Sequence, residues 1–223
     1  MSSHYKSLAR RTNPKSVALF PLNGAVLLPG CELPLNIFEP RYLNMSDDAL
    51  KGDRLIGMVQ NGDEGLEGIG GLGRIIQFSE TDDGRYLIVL KGLKRFKIVT
   101  ELTVATPYRQ AEISFDGYEI DADSHTARNY PEAISGHKKG DRAALTVAMK
   151  SFAKALRVEV DWDSLKEIPL PRLIDQAAMI SPFTAEDKQS LLEALDVEER
   201  RRLLIGLMHL YSSQQGDKDR PIQ

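Results

Sequence analysis

LFPLNGAVLLPGCELPLNIFEPRY, residues Leu19 to Tyr42, decides how the rest of the chain is read. Within it, Leu28-Pro29-Gly30-Cys31 has proline and glycine where a type II turn needs them. In the following CELPLNIF, Leu33, Leu35 and Ile37 alternate with Glu32, Pro34 and Asn36, the period of two expected of a strand with one buried face. Burial of three such side chains contributes on the order of 1.5 to 3 kcal/mol each. Replacing Leu35 by aspartate is therefore expected to unfold the domain. Pro40 suits the first turn of a helix, and Tyr42, Leu43, Met45, Ala49 and Leu50 recur at helical spacing until Gly52 can close it.

Working outward, Val17 to Leu22 reads as a first strand, which Pro21 confines to an edge or an end. Leu55 to Val59 is almost continuously apolar, as in a strand covered on both sides. Asp82-Asp83-Gly84 between Ile75–Phe78 and Tyr86–Leu90 is a hairpin signal. Leu93 to Val99 and Tyr108 to Phe115 continue the β pattern, the latter with Ala111, Ile113 and Phe115 inward. From Gly117 to Gly140 the apolar pattern gives way to polar and turn-forming residues, and afterwards the period becomes helical. Asp141 is expected to cap a helix with the stripe Leu145, Ala148, Met149, Phe152 and Leu156. Pro169 and Pro171 open a second helix, Thr184 a third that buries Leu191, Leu192 and Leu195, and Asp196 a fourth carrying Leu203, Leu204, Leu207, Met208 and Tyr211.

The expected fold class is α+β: a mostly antiparallel, barrel-like β domain followed by an α-helical bundle. The expected division is a flexible basic arm over 1–16, a β-rich unit over 17–117, a linker over 118–140, a helical unit over 141–212 and a polar tail over 213–223.

Of the 223 residues, 42% are hydrophobic and 27% charged, with a net charge of -3, which supplies no overall basic footprint for nucleic acid. The lone cysteine, Cys31, excludes an internal disulfide framework and fits a reducing compartment, so the expected location is cytoplasmic. No apolar run reaches about 18 residues, so no membrane partner is expected. The basic segment before Val17 lacks the apolar core of a secretory signal.

The motifs of chemistry are weak. Gly68-Ile-Gly-Gly-Leu-Gly73 spells the dinucleotide fingerprint, but Arg74 to Phe78 reads as a strand where that fingerprint requires a helix, so the segment is read as a β–β connection. No Gly-Lys dipeptide exists, so there is no phosphate loop. His4, His125, His137 and His209 have no metal spacing. The pairs Asp82-Asp83, Asp121/Asp123 and Asp161/Asp163 are read as turn and boundary residues making local hydrogen bonds. The basic clusters Lys91, Lys94, Arg95, Lys97 and Lys138, Lys139, Arg142 are read as solvated faces, with RNA or anion binding as the alternative. Tyr86, Phe96 and Tyr108 are assigned to strand cores. No catalytic residue, cofactor or metal site is expected.

The pattern FPL-x5-LPG-x2-LPLNIFEPRY, from Phe20 to Tyr42, resembles the N-terminal substrate-recognition domain of the Lon protease family. Further blocks agree: Ile56 to Gln60, Gly73 to Gln77, Asp83 to Phe96, Pro107 to Gln110, and Glu186 to Ala194 among the helices. The resemblance implies a PUA-like β pseudo-barrel and a helical half. Full-length relatives continue into an ATPase and a Ser-Lys peptidase. Neither the phosphate loop nor a Gly-Pro-Ser-Ala-Gly nucleophile segment occurs here, so the resemblance implies recognition without proteolysis. The implied partners are unfolded or extended polypeptide, or a partner protein, with an adaptor role in protein quality control. Pro34, Phe38, Arg41 and Tyr42 are the candidate contact residues. An enzyme with an unrecognised cleft site is the alternative from a different class.

Overall fold

The computed structural model describes residues 13–63, 65–119, 121 and 139–218, and the chain divides into two compact units between Thr126 and Ala127. Most of the expected basic arm and of the 118–140 linker lies outside the described residues.

In the first unit, β1 (Ser16–Pro21), β2 (Glu32–Ile37), β3 (Leu55–Val59), β6 (Ile69–Glu80), β7 (Tyr86–Glu101) and β8 (Gln110–Ser114) form one sheet, while β4 (Asn61–Gly62) and β5 (Gly65–Leu66) make a small ladder of their own. The sheet runs in the order β2-β7-β6-β3-β1-β8, and β8 pairs back onto β7, so five strands close into a ring with β2 attached outside it. Only β1 and β3 are parallel; the other pairings are antiparallel. Val17, Leu19, Val59, Leu72, Leu93, Phe96, Ala111 and Ile113 fill the interior. This is the α+β pseudo-barrel expected, with one parallel pair.

The strand β7 serves both parts of the sheet because it is 16 residues long. Its first half pairs with β2 on one side and with the end of β6 on the other; its last residues, Lys97 to Glu101, close the ring on β8. Register shifts at Leu72/Gly73, Ile75/Gln77 and Ile98/Thr100 supply the local bends that such a closure requires.

Two expectations are corrected here. Leu33 and Leu35 are only half-buried, and Ile37 alone is fully buried, because β2 is an edge strand with a single neighbour. The glycines Gly70, Gly71 and Gly73 are not a connection but part of β6. A side chain at Gly71 would overlap the carbonyl of Leu27, and one at Gly70 would lie 2.6 Å from the Phe96 ring. At Gly92, on the neighbouring strand, it would overlap the carbonyl of Leu28. Glycine is there because the Val26–Leu28 backbone crosses the sheet at that point.

Helix α1 (Pro40–Lys51) follows β2 and ends on Gly52, buries Tyr42, Met45 and Ser46, and is tied to the strands by hydrogen bonds from the Tyr86 and Tyr108 hydroxyls to Asp47 (3.0 Å) and Asp48 (2.9 Å).

The second unit contains α2 (Lys139–Leu156), α3 (Trp162–Lys166), α4 (Leu170–Ile180), α5 (Ala185–Glu193) and α6 (Val197–Lys218), with α6 packed on α2, α4 and α5. Asp141 lies in the first turn of α2 rather than at its cap. Thr184 and Asp196 do cap, accepting from the amides of Asp187 (3.2 Å) and Glu199 (2.8 Å). Leu145, Ala148, Phe152, Leu173, Ile174, Leu191, Leu192, Leu204 and Met208 form the core. Leu195 is instead 66% exposed, because α5 ends at Glu193 and turns it outward. The last helix continues through Lys218, across residues assigned to a polar tail.

Candidate functional site

The open side of β2 follows from backbone geometry. The carbonyl of Cys31 accepts from the amide of Gly92 on β7, so Cys31, Leu33, Leu35 and Ile37 direct their backbone groups toward β7. Glu32, Pro34 and Asn36 then point theirs away from the sheet. Pro34 fits only this side, since it has no N–H to give to a ladder. Among the described residues no strand pairs with this edge, which therefore offers the N–H and C=O of Glu32 and Asn36 and the C=O of Pro34. Beside it, Phe38 is 64% exposed, and Leu87, opposite Asn36 across the β2–β7 pair, is exposed as well. The Glu32 carboxylate is held at 3.0 Å by Lys91, directly across the pair.

One turn further, Arg41 and Tyr42 enter a different setting. The guanidinium of Arg41 donates through Nε and Nη2 to Glu39 (2.9 and 2.7 Å) and lies 4.5 Å above the Tyr42 ring. That ring packs edge-on against Phe20 at 4.5 Å and is core, only 6% exposed. Arg41 and Tyr42 line a cavity of about 180 Å³ with Pro21, Asn61, Pro107, Tyr108 and Arg109. Pro34 and Phe38 do not line it. The structure thus places two candidate residues on the strand edge and two in a pocket.

Arg109 and Tyr108 escaped the sequence reading as site residues. Nothing local marks them: the amide of Leu19 donates to the Arg109 carbonyl at 2.8 Å, and it is this β1–β8 contact that brings them beside Pro21. Arg109 donates to Glu101 through Nε at 2.7 Å and through Nη2, which keeps the guanidinium charged above its ordinary range. Burial and the hydrogen bond to Asp48 push the Tyr108 phenol up to about 12. Burial also raises the Tyr42 phenol, against the opposing pull of Arg41 and Arg109. Both phenols therefore keep their protons at neutral pH.

The basic run on β7 is a solvated face only in part: Lys97 is exposed and Lys91 half-buried, whereas Lys94 and Arg95 are buried. Arg95 is 1% exposed, donates to Asp121 from Nε (2.8 Å) and Nη2 (3.0 Å), and stacks 4.2 Å from the Tyr118 ring. Lys94 is buried and donates to Asn13 at 2.6 Å. Charges committed in this way cannot follow a phosphate backbone. Asp161 caps α3 by accepting from Asp163 (3.1 Å) and Ser164 (3.2 Å). Among the described residues no group of three or more His, Cys, Asp or Glu side chains could hold a metal ion, and no helix is long and apolar enough to cross a membrane.

A closed ring of mixed β strands with an edge strand outside it, and a helical unit after it, defines an α+β chain whose described residues include an open strand edge and a small pocket. The chain belongs to the family of the ATP-dependent protease La (LON) substrate-binding domain, which matches residues 16–209. It is 26% identical over 205 residues to Lon protease 2 of Myxococcus xanthus, and 27% identical over 209 residues to the Lon protease of Cytophaga hutchinsonii. The matches cover 88% and 87% of this chain, but the chain spans about a quarter (24%) of the length of each relative. The fold is that of the Lon N-terminal domain protein from Xanthomonas campestris, with a TM-score of 0.62 at 22% identity over 86% of this chain and 98% of that one. The N-terminal domain of Mycobacterium avium complex Lon protease gives the same TM-score at 21% identity, over 87% and 98%.

Proposed function

We propose that this chain is a non-catalytic module that binds extended or unfolded polypeptide, or an extended segment of a partner protein, and serves as a recognition or adaptor element in protein quality control. The observation that carries the reading is the open edge of β2 within a domain of a substrate-binding family. An extended chain laid beside β2 would receive backbone hydrogen bonds from Glu32 and Asn36 and return others to them. Pro34 removes one donor, which limits runaway strand addition by copies of the chain itself. Phe38 would contribute apolar contact at the end of the strand, Arg41 a cation, and Tyr42 its hydroxyl, since its ring is spent on the core.

A direct test is crosslinking and peptide-array binding with reduced, unfolded proteins and with the same proteins folded. Retention of the unfolded forms only, weakened several-fold by Phe38→Ser, is the expected result. Equal retention of both forms, or of neither, would sink the proposal.

A further inference from the structure

The pocket behind Arg41 contains donors that no protein acceptor uses. Tyr42 is more than nine-tenths buried, yet its hydroxyl has no hydrogen-bond partner among the described residues. Nor is it a sealed orphan, because it is not among the fully enclosed side-chain polar atoms of the described residues. The hydroxyl therefore opens into the cavity that Tyr42 lines. Arg41 and Arg109 line the same cavity, and each uses Nε and Nη2 on its own glutamate, leaving Nη1 without a partner among the described residues. Each guanidinium is paired with its glutamate at the half-exposed mouth of the cavity.

The remaining walls select the ligand. Pro21, Pro107 and the Tyr108 ring supply the apolar part of a lining that is mostly polar. Glu39 is the one acidic lining residue, and Arg41 already holds its Oε2. The N-terminal end of α1 adds a partial positive charge. At about 180 Å³ the cavity is smaller than the 300 Å³ or so at which cofactor and nucleotide pockets begin, and it suits one residue-sized group. Two guanidinium edges and a hydroxyl outnumber the one carboxylate oxygen, Oε1 of Glu39, that Arg41 does not hold, and they fit the planar oxygens of a ligand carboxylate.

We propose that this pocket anchors a carboxylate of the bound polypeptide, through the Tyr42 hydroxyl and the Nη1 groups of Arg41 and Arg109. The inference rests on the polypeptide-binding reading above, and it adds an end point to the strand edge. The carboxylate can come from the C-terminus of the bound chain or from an aspartate or glutamate within it.

The test uses the full chain and three labelled versions of one apolar peptide: the free acid, its C-terminal amide, and an amide with one internal aspartate. Fluorescence anisotropy is expected to show at least one carboxylate-bearing form binding about tenfold tighter than the plain amide. Arg109→Gln and Tyr42→Phe should each shrink that gap; Tyr42→Phe retains the ring that packs on Phe20. Which form gains identifies the source of the carboxylate. Equal binding of all three forms would overturn the pocket while leaving the polypeptide reading intact. If no peptide binds, that reading falls, and a titration with N-acetylphenylalanine against its amide decides the pocket. Shifts of the arginine Nε–H resonances with the acid alone would uphold it, and no shift with either would overturn it.

Discussion

The β ring keeps Arg95 out of water and the helical unit keeps Arg200 out of it, and the two are used differently. Arg95 meets Asp121 fork to fork, with Tyr118 beneath its plane, and the backbone amide of Arg95 donates to the same carboxylate at 2.9 Å. Arg200 donates to Asp175 at 2.8 Å and also to the Leu191 carbonyl at 2.8 Å, so it finishes the C-terminal end of α5 as well as pairing with α4. The first arginine secures a residue that follows the last strand of the ring. The second joins three helices and satisfies backbone carbonyls that helix geometry leaves unpaired. The two pairs span nearly equal sequence distances, 26 and 25 residues, and differ in what else they hold: a strand amide in the ring, a helix end in the helical unit.

The largest effects should come from breaking these pairs. Asp121→Ala and Asp175→Ala each leave a buried guanidinium short of its carboxylate and should cost about 3 to 5 kcal/mol in denaturant unfolding. The double changes test what else each pair holds. Arg95→Met with Asp121→Leu takes the carboxylate from the Arg95 amide, and Arg200→Met with Asp175→Leu takes the donor from the Leu191 carbonyl, so neither should recover the full loss. Full recovery in either unit would break the comparison.

Glycines sharpen the same contrast at a smaller scale. Gly71→Ala drives a methyl group into the Leu27 carbonyl, where only backbone can yield, and should destabilise by about 1 to 3 kcal/mol or more. Gly206→Ala sits in α6 with nothing within 4 Å and should stabilise by about 0.5 to 1 kcal/mol through helix propensity.

The smallest effect is spectroscopic. Tyr108 is held neutral until about pH 12, so its share of stability is present below pH 10 and falls away as pH rises from 10 through 12. An ultraviolet titration should show a late tyrosinate component that Tyr108→Phe removes. A variant with an unchanged curve would argue against the Asp48 bond.

What the sequence revealed follows the same division. The helices announced themselves through Pro169, Thr184 and Asp196, because caps and 3.6-residue stripes are local. The exception is α3, whose five residues are too few to display a period. Alternation exposed β2 but not how deeply its leucines sit, since edge position is a property of the whole sheet. Gly68 to Gly73 concealed the start of β6, for glycine carries no side-chain pattern, and the contact with Leu27 that requires it comes from more than forty residues away. Arg95 looked like a surface charge because its partner Asp121 lies in a stretch without pattern. In the site, Arg41 and Tyr42 stood inside the most distinctive motif, whereas Arg109 joins them only through the pairing of β1 with β8.

The central claim, that the free edge of β2 receives extended polypeptide, is tested most directly by amide hydrogen exchange on the full chain, with and without a saturating unfolded protein. Slowed exchange at Glu32 and Asn36, the two outward-facing amides on either side of Pro34, is the predicted result. Unchanged exchange at both amides, with the unfolded protein demonstrably bound, would contradict it.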